Sequence, residues 1–475
     1  MALLDHLPRH LFTSRGWGLL AAGTLSLLCA QVMGRRDLLS LSILLIVLPL
    51  VSLAGIRLVK PRFRVYREFS PATVETASAT TVRLAVARTG PEAGRIIMEE
   101  RLPSRFGESP AFRFPSRSAS GGTSRYEYRL RSGKRGQFTI GPVTAEFTDP
   151  FGLSLHRHTI DDGDTLTVTP AAVELPVTGL AGARGNDGIT ATRIRANPSD
   201  DDVMTREYRH GDPMRRVHWP ATARHGALMV RQEESVTTPE ATIILDQRFG
   251  AHSSGFGSVF SGSGDDGNDL VTSDTFEWAV TAAMSVSAHL SDRNYSLRFL
   301  DAAGDPAFHR SPSAPEPDCE EYSGAAGLQS IAESLAAIQL SGPHHLRREQ
   351  HDTSLREHSG GSESGQSVFD DRLIDKLAAH RMRGPVLAVL GRISLAEARA
   401  LAPAAGYAAN AFAIVITDRP TESSEVLEAL RLGGWRAVSV DAATSLPAAW
   451  TYFDEGDATL AAAAADVRRG AEVTR

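Results

Sequence analysis

The feature that most limits what this chain can be lies in its first sixty residues. Two nearly uncharged stretches, residues 17–33 and 38–56, are separated only by Gly34-Arg35-Arg36-Asp37. About 17 to 20 apolar residues suffice to cross the hydrocarbon core of a bilayer, so both stretches are read as transmembrane helices in a tight hairpin (1–60). A four-residue connection leaves no room for a domain, which puts both chain ends on one side. Arg9 and Arg15 precede the first span, and Arg57, Lys60, Arg62, Arg64 and Arg67 follow the second. Lys and Arg concentrate on the cytoplasmic side of membranes. The expectation is therefore a two-span cell-membrane protein in contact with the lipid bilayer, with a cytoplasmic soluble region. Arg35 and Arg36 in the connection run against that orientation. A cleaved signal peptide, which also places charge before an apolar run, is the competing reading of the first stretch. Cys29 reads as a packed membrane cysteine, because Leu28 stands where a lipoprotein site needs a small residue.

The part of the 475-residue chain after the hairpin is too long for one domain, and the whole chain, at 42% hydrophobic and 22% charged, has ordinary globular composition. A formal net charge of −6 argues against a nucleic-acid partner, so any basic patch must be local. Two cysteines cannot assemble a disulfide framework or a zinc cluster, and no cofactor is expected. No Gly-rich loop is followed by Lys-Ser or Lys-Thr, so any ATP hydrolysis must come from a partner.

From 61 to 178 the pattern alternates. Val82, Leu84 and Val86 share one face, as do Tyr126, Tyr128 and Leu130, and later Leu166 and Val168. Turn signals at Gly121-Gly122, Gly133, Gly141-Pro142 and Asp149-Pro150-Phe151-Gly152, the last suited to a type I turn, complete an all-β sandwich of immunoglobulin-like size. A linker with a distinctive motif occupies 179–240. From 241 to 460 the class changes to α/β. Strands are expected at 242–246, 295–300, 386–390, 413–417 and 437–440. Helices are expected at 276–290, 328–340, 395–405 and 425–432. That is the alternation of a parallel sheet. Ser/Gly-rich stretches at 250–274 and 341–367 are expected to be disordered. The second holds His344, His345, His351 and His358 at no fixed spacing, read as a solvated loop. A tail (461–475) ends the chain.

The motif spans 206–224 and crowds aromatics, glycine, acid and arginine. Asp212 followed by Pro213 reads as a helix start, the carboxylate capping the Arg215 amide. The short helix is expected to run to Trp219, where Pro220 interrupts it. The candidate residues are Arg206, Tyr208, Gly211, Asp212, Arg215, Trp219 and Arg224. The arginines either pair internally with Asp212, Glu207 or Glu233, as a structural network, or present guanidinium groups to an acidic partner. His210 and His218 flank Asp212, but no nucleophile or oxyanion cradle lies nearby, so no catalytic residue is assigned. A hydrolase or phosphate-handling site built on this block, with Asp212 and His218 moving protons, is the alternative function.

The string Arg206, Tyr208, Gly211, Asp212, Arg215, Trp219, Ala223 and Arg224 resembles the hallmark of the bacterial family catalogued as domain of unknown function 58. Arg135-Gly136, Gly141-Pro142 and residues 149–153 resemble the end of the β domain that precedes that hallmark. The resemblance implies a von Willebrand factor A-like α/β domain after the motif, working beside MoxR-type AAA+ ATPases and transglutaminase-like membrane proteins. In true A domains a strand ends in Asp-x-Ser-x-Ser, which binds a divalent ion. Here Asp246 ends the strand, but Arg248 and Gly250 stand at the serine positions. Asp246 is thus a degenerate metal position, and no metal is expected. The function read from all this is a membrane-anchored, non-enzymatic interaction or scaffold protein acting with such an ATPase in cell-envelope or complex assembly.

Overall fold

The computed structural model describes residues 11–58, 62–89, 95–114, 123–176, 205–209, 214, 217–231, 239–252, 270–341, 368–379 and 384–453. The chain opens with two long helices, α1 (Ser14–Met33) and α2 (Arg36–Leu58), both long and apolar enough to cross a membrane. The Thr13 side chain accepts the Gly16 amide to start α1, and Gly34, at φ 62°, ends it. Gly16, Gly23 and Ala30 are buried at seven-residue intervals on α1, as are Ser42 and Pro49 on α2. Seven residues return to the same helix face, so these positions form a seam of small residues. A side chain on Gly23 would come within 2.7 Å of Ile46 Cγ1. Cys29 is exposed, turned away from that seam, which corrects the expectation of a packed cysteine.

The β region contains β1 (Phe63–Ser70), β2 (Thr73–Glu75), β3 (Ala79–Arg88), β4 (Arg95–Glu100), β5 (Ala111–Phe114), β6 (Thr123–Arg131), β7 (Gly136–Ile140), β8 (Val143–Thr148), β9 (Leu155–Thr159) and β10 (Asp164–Thr169). They form sheets ordered β1-β3-β6, β2-β10-β7 and β5-β4-β8-β9. The alternation read from sequence sets the packing. Leu84 and Val86 meet Ile96, Met98 and Phe147 in one apolar cluster, and Val82 meets Phe138, Leu166 and Val168 in another. Between the clusters, Arg67 donates to Glu100 Oε1 at 2.6 Å, Asp164 Oδ2 at 2.6 Å and Asp161 Oδ2 at 3.0 Å. Burial would lower its pKa, but Glu100 and Asp161 hold it above the ordinary arginine value. Burial also pushes Glu100 above the usual carboxylate range, against the pull of Tyr128 and Arg67. Arg67 is therefore an internal cation and not one of the charges that flank the membrane. Gly141, at φ 101°, is required beside it, since a Cβ there would lie 2.8 Å from Arg67 Nη2.

A small unit follows: β11 (Thr205–Glu207), α3 (Trp219–His225) and β12 (Met229–Arg231). The α/β region then runs β13 (Glu240–Leu245), α4 (Phe249–His252), α5 (Asp274–Ser291), β14 (Ser296–Asp301), β15 (Glu321–Tyr322), α6 (Gly324–Ala336), α7 (Asp371–Ala378), β16 (Pro385–Leu390), α8 (Leu395–Leu401), β17 (Asn410–Ile416), α9 (Ser424–Leu432), β18 (Trp435–Val440) and α10 (Leu446–Thr451). Its sheet is ordered β15-β14-β13-β16-β17-β18, parallel except for the edge strand β15. Numbered within the region, that is 3-2-1-4-5-6, with the order reversing between β13 and β16. The central strands are buried on both faces, with Ile243 and Leu245 in one core and Ile244 and Ala388 in the other.

The sequence reading leaves out the two-residue β15 and the short helices α4, α7 and α10. Helix α6 starts and stops four residues earlier than expected, and α8 gives way to a 3-10 turn at Ala402–Tyr407. The two stretches expected to be disordered are partly ordered. Residues 250–252 complete α4, 270–273 lead into α5, and Ser341 pairs with Arg248. Residues 253–269 and 342–367 lie outside the described residues, as do the four loop histidines and the tail.

The most heavily bonded side chain described between the β and α/β regions is Arg135. Arg135, from the turn before β7, donates to Glu277 on α5 at 3.0 and 2.9 Å. It also donates to the carbonyls of Leu335, Ala336 and Ile338 at 2.8 to 3.1 Å. Its guanidinium thus satisfies the open C-terminal carbonyls of α6, and it sits 5.7 Å from the Phe276 ring centroid. Replacing Arg135 with Leu is expected to cost on the order of 3 kcal/mol and to split one thermal transition into two in scanning calorimetry. A single transition with an unchanged midpoint would show that the joint does not couple the regions.

His289 on α5 stacks edge-on against Trp450, 5.6 Å between centroids. Burial, with Arg293 nearby, lowers its pKa from 6.5 to about 4. Because the unfolded ring takes up its proton first, the native state should lose stability as pH falls from about 6.5 to about 4. Denaturant midpoints across that window should fall, and His289→Gln should flatten the slope.

Candidate functional site

Two places carry the candidate residues: the unit built from the motif, and the carboxyl end of β13. In the first, β11 pairs antiparallel with β12, setting Arg206 opposite Val230. The Tyr208 amide donates to the Leu228 carbonyl at 2.7 Å, and the His218 amide to Met229 at 2.8 Å. Helix α3 begins at His218, whose Nδ1 accepts the Ala221 amide at 3.2 Å, with Pro220 in the first turn. This corrects the expected helix ending at Pro220. Proline lacks an amide hydrogen, which suits a first turn whose amides need no helical acceptor, so Pro220 opens the helix. Gly226, at φ 68°, closes it, and Thr222 Oγ1 accepts the Met229 amide at 3.0 Å, fastening α3 to β12.

Val217, Met229 and Val230 are buried in this unit and Tyr208 is half-buried. Trp219 is 62% exposed, as are Met214 at 56% and Leu228 at 38%. Arg224, in the last turn of α3, is exposed, where its charge complements the carbonyl end of the helix. Trp219 and Arg224 thus stand on the outer surface of a short helix fixed at both ends. Gly211, Asp212 and Arg215 lie outside the described residues, as does the expected Asp212 cap. Of Arg206 only the backbone is described.

The second place is the crevice where the strand order reverses, the position at which doubly wound sheets bind ligands. Asp246 lies there, its side chain fully buried. Arg248 closes over it, donating from Nε to Oδ1 at 2.9 Å and from Nη2 to Oδ2 at 2.8 Å. Its remaining nitrogen, Nη1, pairs with Glu397 on α8. Burial would lower the Arg248 pKa, but Asp246 and Glu397 hold it raised. Burial pushes Glu397 upward, yet the Ser394 amide and Arg248 bring it below the usual carboxylate range. The Asp246 carbonyl accepts His252 Nε2 at 2.9 Å, and burial keeps that ring's pKa low. Beside it, a cavity lined by His252, Thr275 and Arg392 measures about 10 Å³, room for one water at most. The sequence singled out Asp246 and Arg248. Glu397 carried no separate signal, because it reads as part of a Ser394 capping box, which it also forms.

With a guanidinium across Asp246, millimolar magnesium is expected to leave the melting temperature within a degree of its metal-free value. A several-degree rise that vanishes in Asp246→Ala would overturn this. Arg248→Ala should cost roughly 3 to 5 kcal/mol, because it leaves a buried carboxylate uncompensated.

Residues 204–285 match the family model described as protein of unknown function DUF58. No curated protein matches the chain. Among solved structures, the alkylpurine DNA glycosylase AlkC of Pseudomonas fluorescens, bound to DNA with an abasic site analog, is 7% identical, covering 28% of this chain and 38% of that one at a TM-score of 0.16. A protein from Bacteroides fragilis described as a beta-galactosidase is 9% identical, covering 76% and 40% at a TM-score of 0.15. The chain thus spans well under half the length of either, and similarity this low carries no argument about fold or chemistry. The match at 204–285 takes in β11, α3, β12, β13, Asp246 and α5 up to Ser285, and over those residues the chain is similar to the DUF58 family.

Proposed function

We propose that this chain is a membrane-anchored, non-enzymatic interaction protein whose recognition surface is the outer face of α3. The observation that carries the reading is Trp219, an indole 62% exposed on a helix capped at both ends. Trp is costly to leave in water and is enriched where partners dock, and arginine accompanies it at such sites. Exposed Arg224 lies five residues on, and Met214 and Leu228 add apolar surface. The hydrolase alternative loses ground at His218, whose Nδ1 is already engaged as the helix cap.

The strand order, with one antiparallel edge strand, supports a von Willebrand factor A-like reading of residues 241–460. The two apolar clusters between facing sheets support an immunoglobulin-like sandwich at 61–178. Arg57 in the last turn of α2, with Arg62 and Arg64 after it, supports a cytoplasmic soluble region. On the family resemblance, the partner is a MoxR-type AAA+ ATPase, with a transglutaminase-like membrane protein as a further component. The scaffold holds the ATPase at the membrane for envelope or complex assembly.

Trp219→Ala in the full-length, detergent-solubilised chain should weaken capture of a purified MoxR-type ATPase by about thirtyfold. Its unfolding free energy should stay within about 0.5 kcal/mol. Undiminished capture would remove α3 as the recognition surface, and a large stability loss would assign Trp219 to the fold.

A further inference from the structure

The molecule carries a second charged feature, distant in sequence from α3 and unused by the reading above. Two clefts, of about 810 and 980 Å³, flank β9 where the end of α2 reaches the β region. Both are lined by Arg57, His156 and His158. The larger adds Arg62 and Arg64, over a floor that includes Phe63, Phe147 and Ile160. No acid is among its described lining residues. The smaller adds Arg101 and Arg157, and its acid, Glu99, is paired with Arg157 at 2.7 Å. Arg57, Arg62, Arg64 and Arg101 make no ion pair with any described residue. In a chain of net charge −6, this concentration of unpaired cations is local.

Its position is fixed by the docking of the hairpin onto the β8–β9 turn. Thr13 Oγ1 donates to the Gly152 carbonyl at 2.6 Å, the Leu155 amide to Leu11 at 3.1 Å, and the Ser52 and Ser154 hydroxyls meet at 3.1 Å. Asp149 holds the turn from inside, accepting the Leu153 amide at 2.6 Å and the Ser154 amide at 2.8 Å. Arg57 lies in the last turn of α2. If α1 and α2 cross a bilayer, the clefts open at the level of its headgroups, cationic at the rim with an apolar floor.

We propose that this pair of clefts binds the phosphodiester headgroup of an anionic phospholipid from the membrane that holds the hairpin. Guanidinium groups pair with phosphate oxygens in two-pronged geometry. The histidines, stacked at 6.4 Å and 7°, line the clefts beside them, and the Phe63–Ile160 floor takes the glycerol and first acyl carbons. Juxtamembrane basic pockets attract anionic headgroups in this way. The proposal rests on the membrane-spanning reading of α1 and α2.

The test uses the full-length chain reconstituted into nanodiscs of phosphatidylcholine alone or with phosphatidylglycerol, then released into neutral detergent for native mass spectrometry of retained lipid. Phosphatidylglycerol should be retained at least tenfold over phosphatidylcholine. Arg62→Gln with Arg64→Gln should lower that retention by about fivefold per arginine, and Arg62→Lys with Arg64→Lys should restore most of it. His156→Ala, outside the charges that direct insertion, should also lower it. Arg83→Gln with Arg125→Gln, which removes equal charge away from the clefts, should not. Equal retention of both lipids, or equal loss in the control pair, would overturn the proposal. Displacement by millimolar inorganic phosphate would also overturn it, in favour of a soluble phosphate. A chain that stays soluble without detergent and enters neither disc would sink the membrane reading itself. A chain that enters both discs without preference sinks only the lipid site.

Discussion

The guanidinium of Arg135 reaches from the β region into the α/β region and satisfies five acceptors there, two on Glu277 and three carbonyls at the end of α6. A helix C-terminus buried without donors is unfavourable, and a buried guanidinium without acceptors is worse. Each therefore requires the other. Two further hydrogen bonds follow from that placement: the Val173 amide donates to Ser285 Oγ at 2.9 Å, and Gln329 Nε2 to Thr73 Oγ1 at 3.0 Å. Arg67 and Arg248 repeat the principle within single regions, each a shielded cation shared among carboxylates from different elements. Such groups specify one arrangement, because a displaced strand or helix would strand a charge.

Two of the three segments that carried the family resemblance in the β region make joints between regions. Arg135 is the joint to the α/β region. The 149–153 turn is the joint to the hairpin, where Gly16 is obligatory because a Cβ would lie 2.1 Å from the Leu153 carbonyl. Asp149 is shielded, which alone would raise its pKa, but the Ser52 hydroxyl and three turn amides pull it below the usual carboxylate range. Its charge therefore persists at the acidities at which free carboxylates take up protons. Residues recognised as a hallmark are here explained by contacts between regions.

What the sequence made legible follows from what produces a periodic or local signal. Val82, Leu84 and Val86 alternate, and all three are buried. The strand at Glu240–Leu245 is apolar throughout because the sheet covers both its faces. The Asp149 turn is local chemistry, and its Gly152 amide bonds Asp149 O at 3.0 Å as a type I turn requires. Contacts made across long separations were not legible. Arg135 and Glu277 are 142 residues apart, and Arg248 and Glu397 are 149 apart. At the motif, Pro220 was misread because proline both breaks a helix interior and favours its first turn. Which role applies depends on where the helix starts, and here His218 decides that with its ring nitrogen, an unusual cap that sequence patterns favour less than Ser, Thr, Asp or Asn.

The same contrast bears on where function resides. In a doubly wound sheet the crevice at the strand reversal is the natural ligand site, because the strand ends diverge there and leave open space. Among the described residues that space is filled: Arg248 spans Asp246 and Glu397, its guanidinium lies 5.4 Å from the Phe369 ring centroid, and the cavity beside it holds about 10 Å³. A carboxylate held by two charge-assisted hydrogen bonds is poorly placed to take a metal, since the metal would first have to displace a cation that cannot be deprotonated. Among the described residues, exposed groups of another kind lie at the periphery, with Trp219 and Arg224 on α3 and the arginines around β9. Both are surfaces presented by a rigid frame, which is what buried ion networks in place of an open crevice would be expected to support.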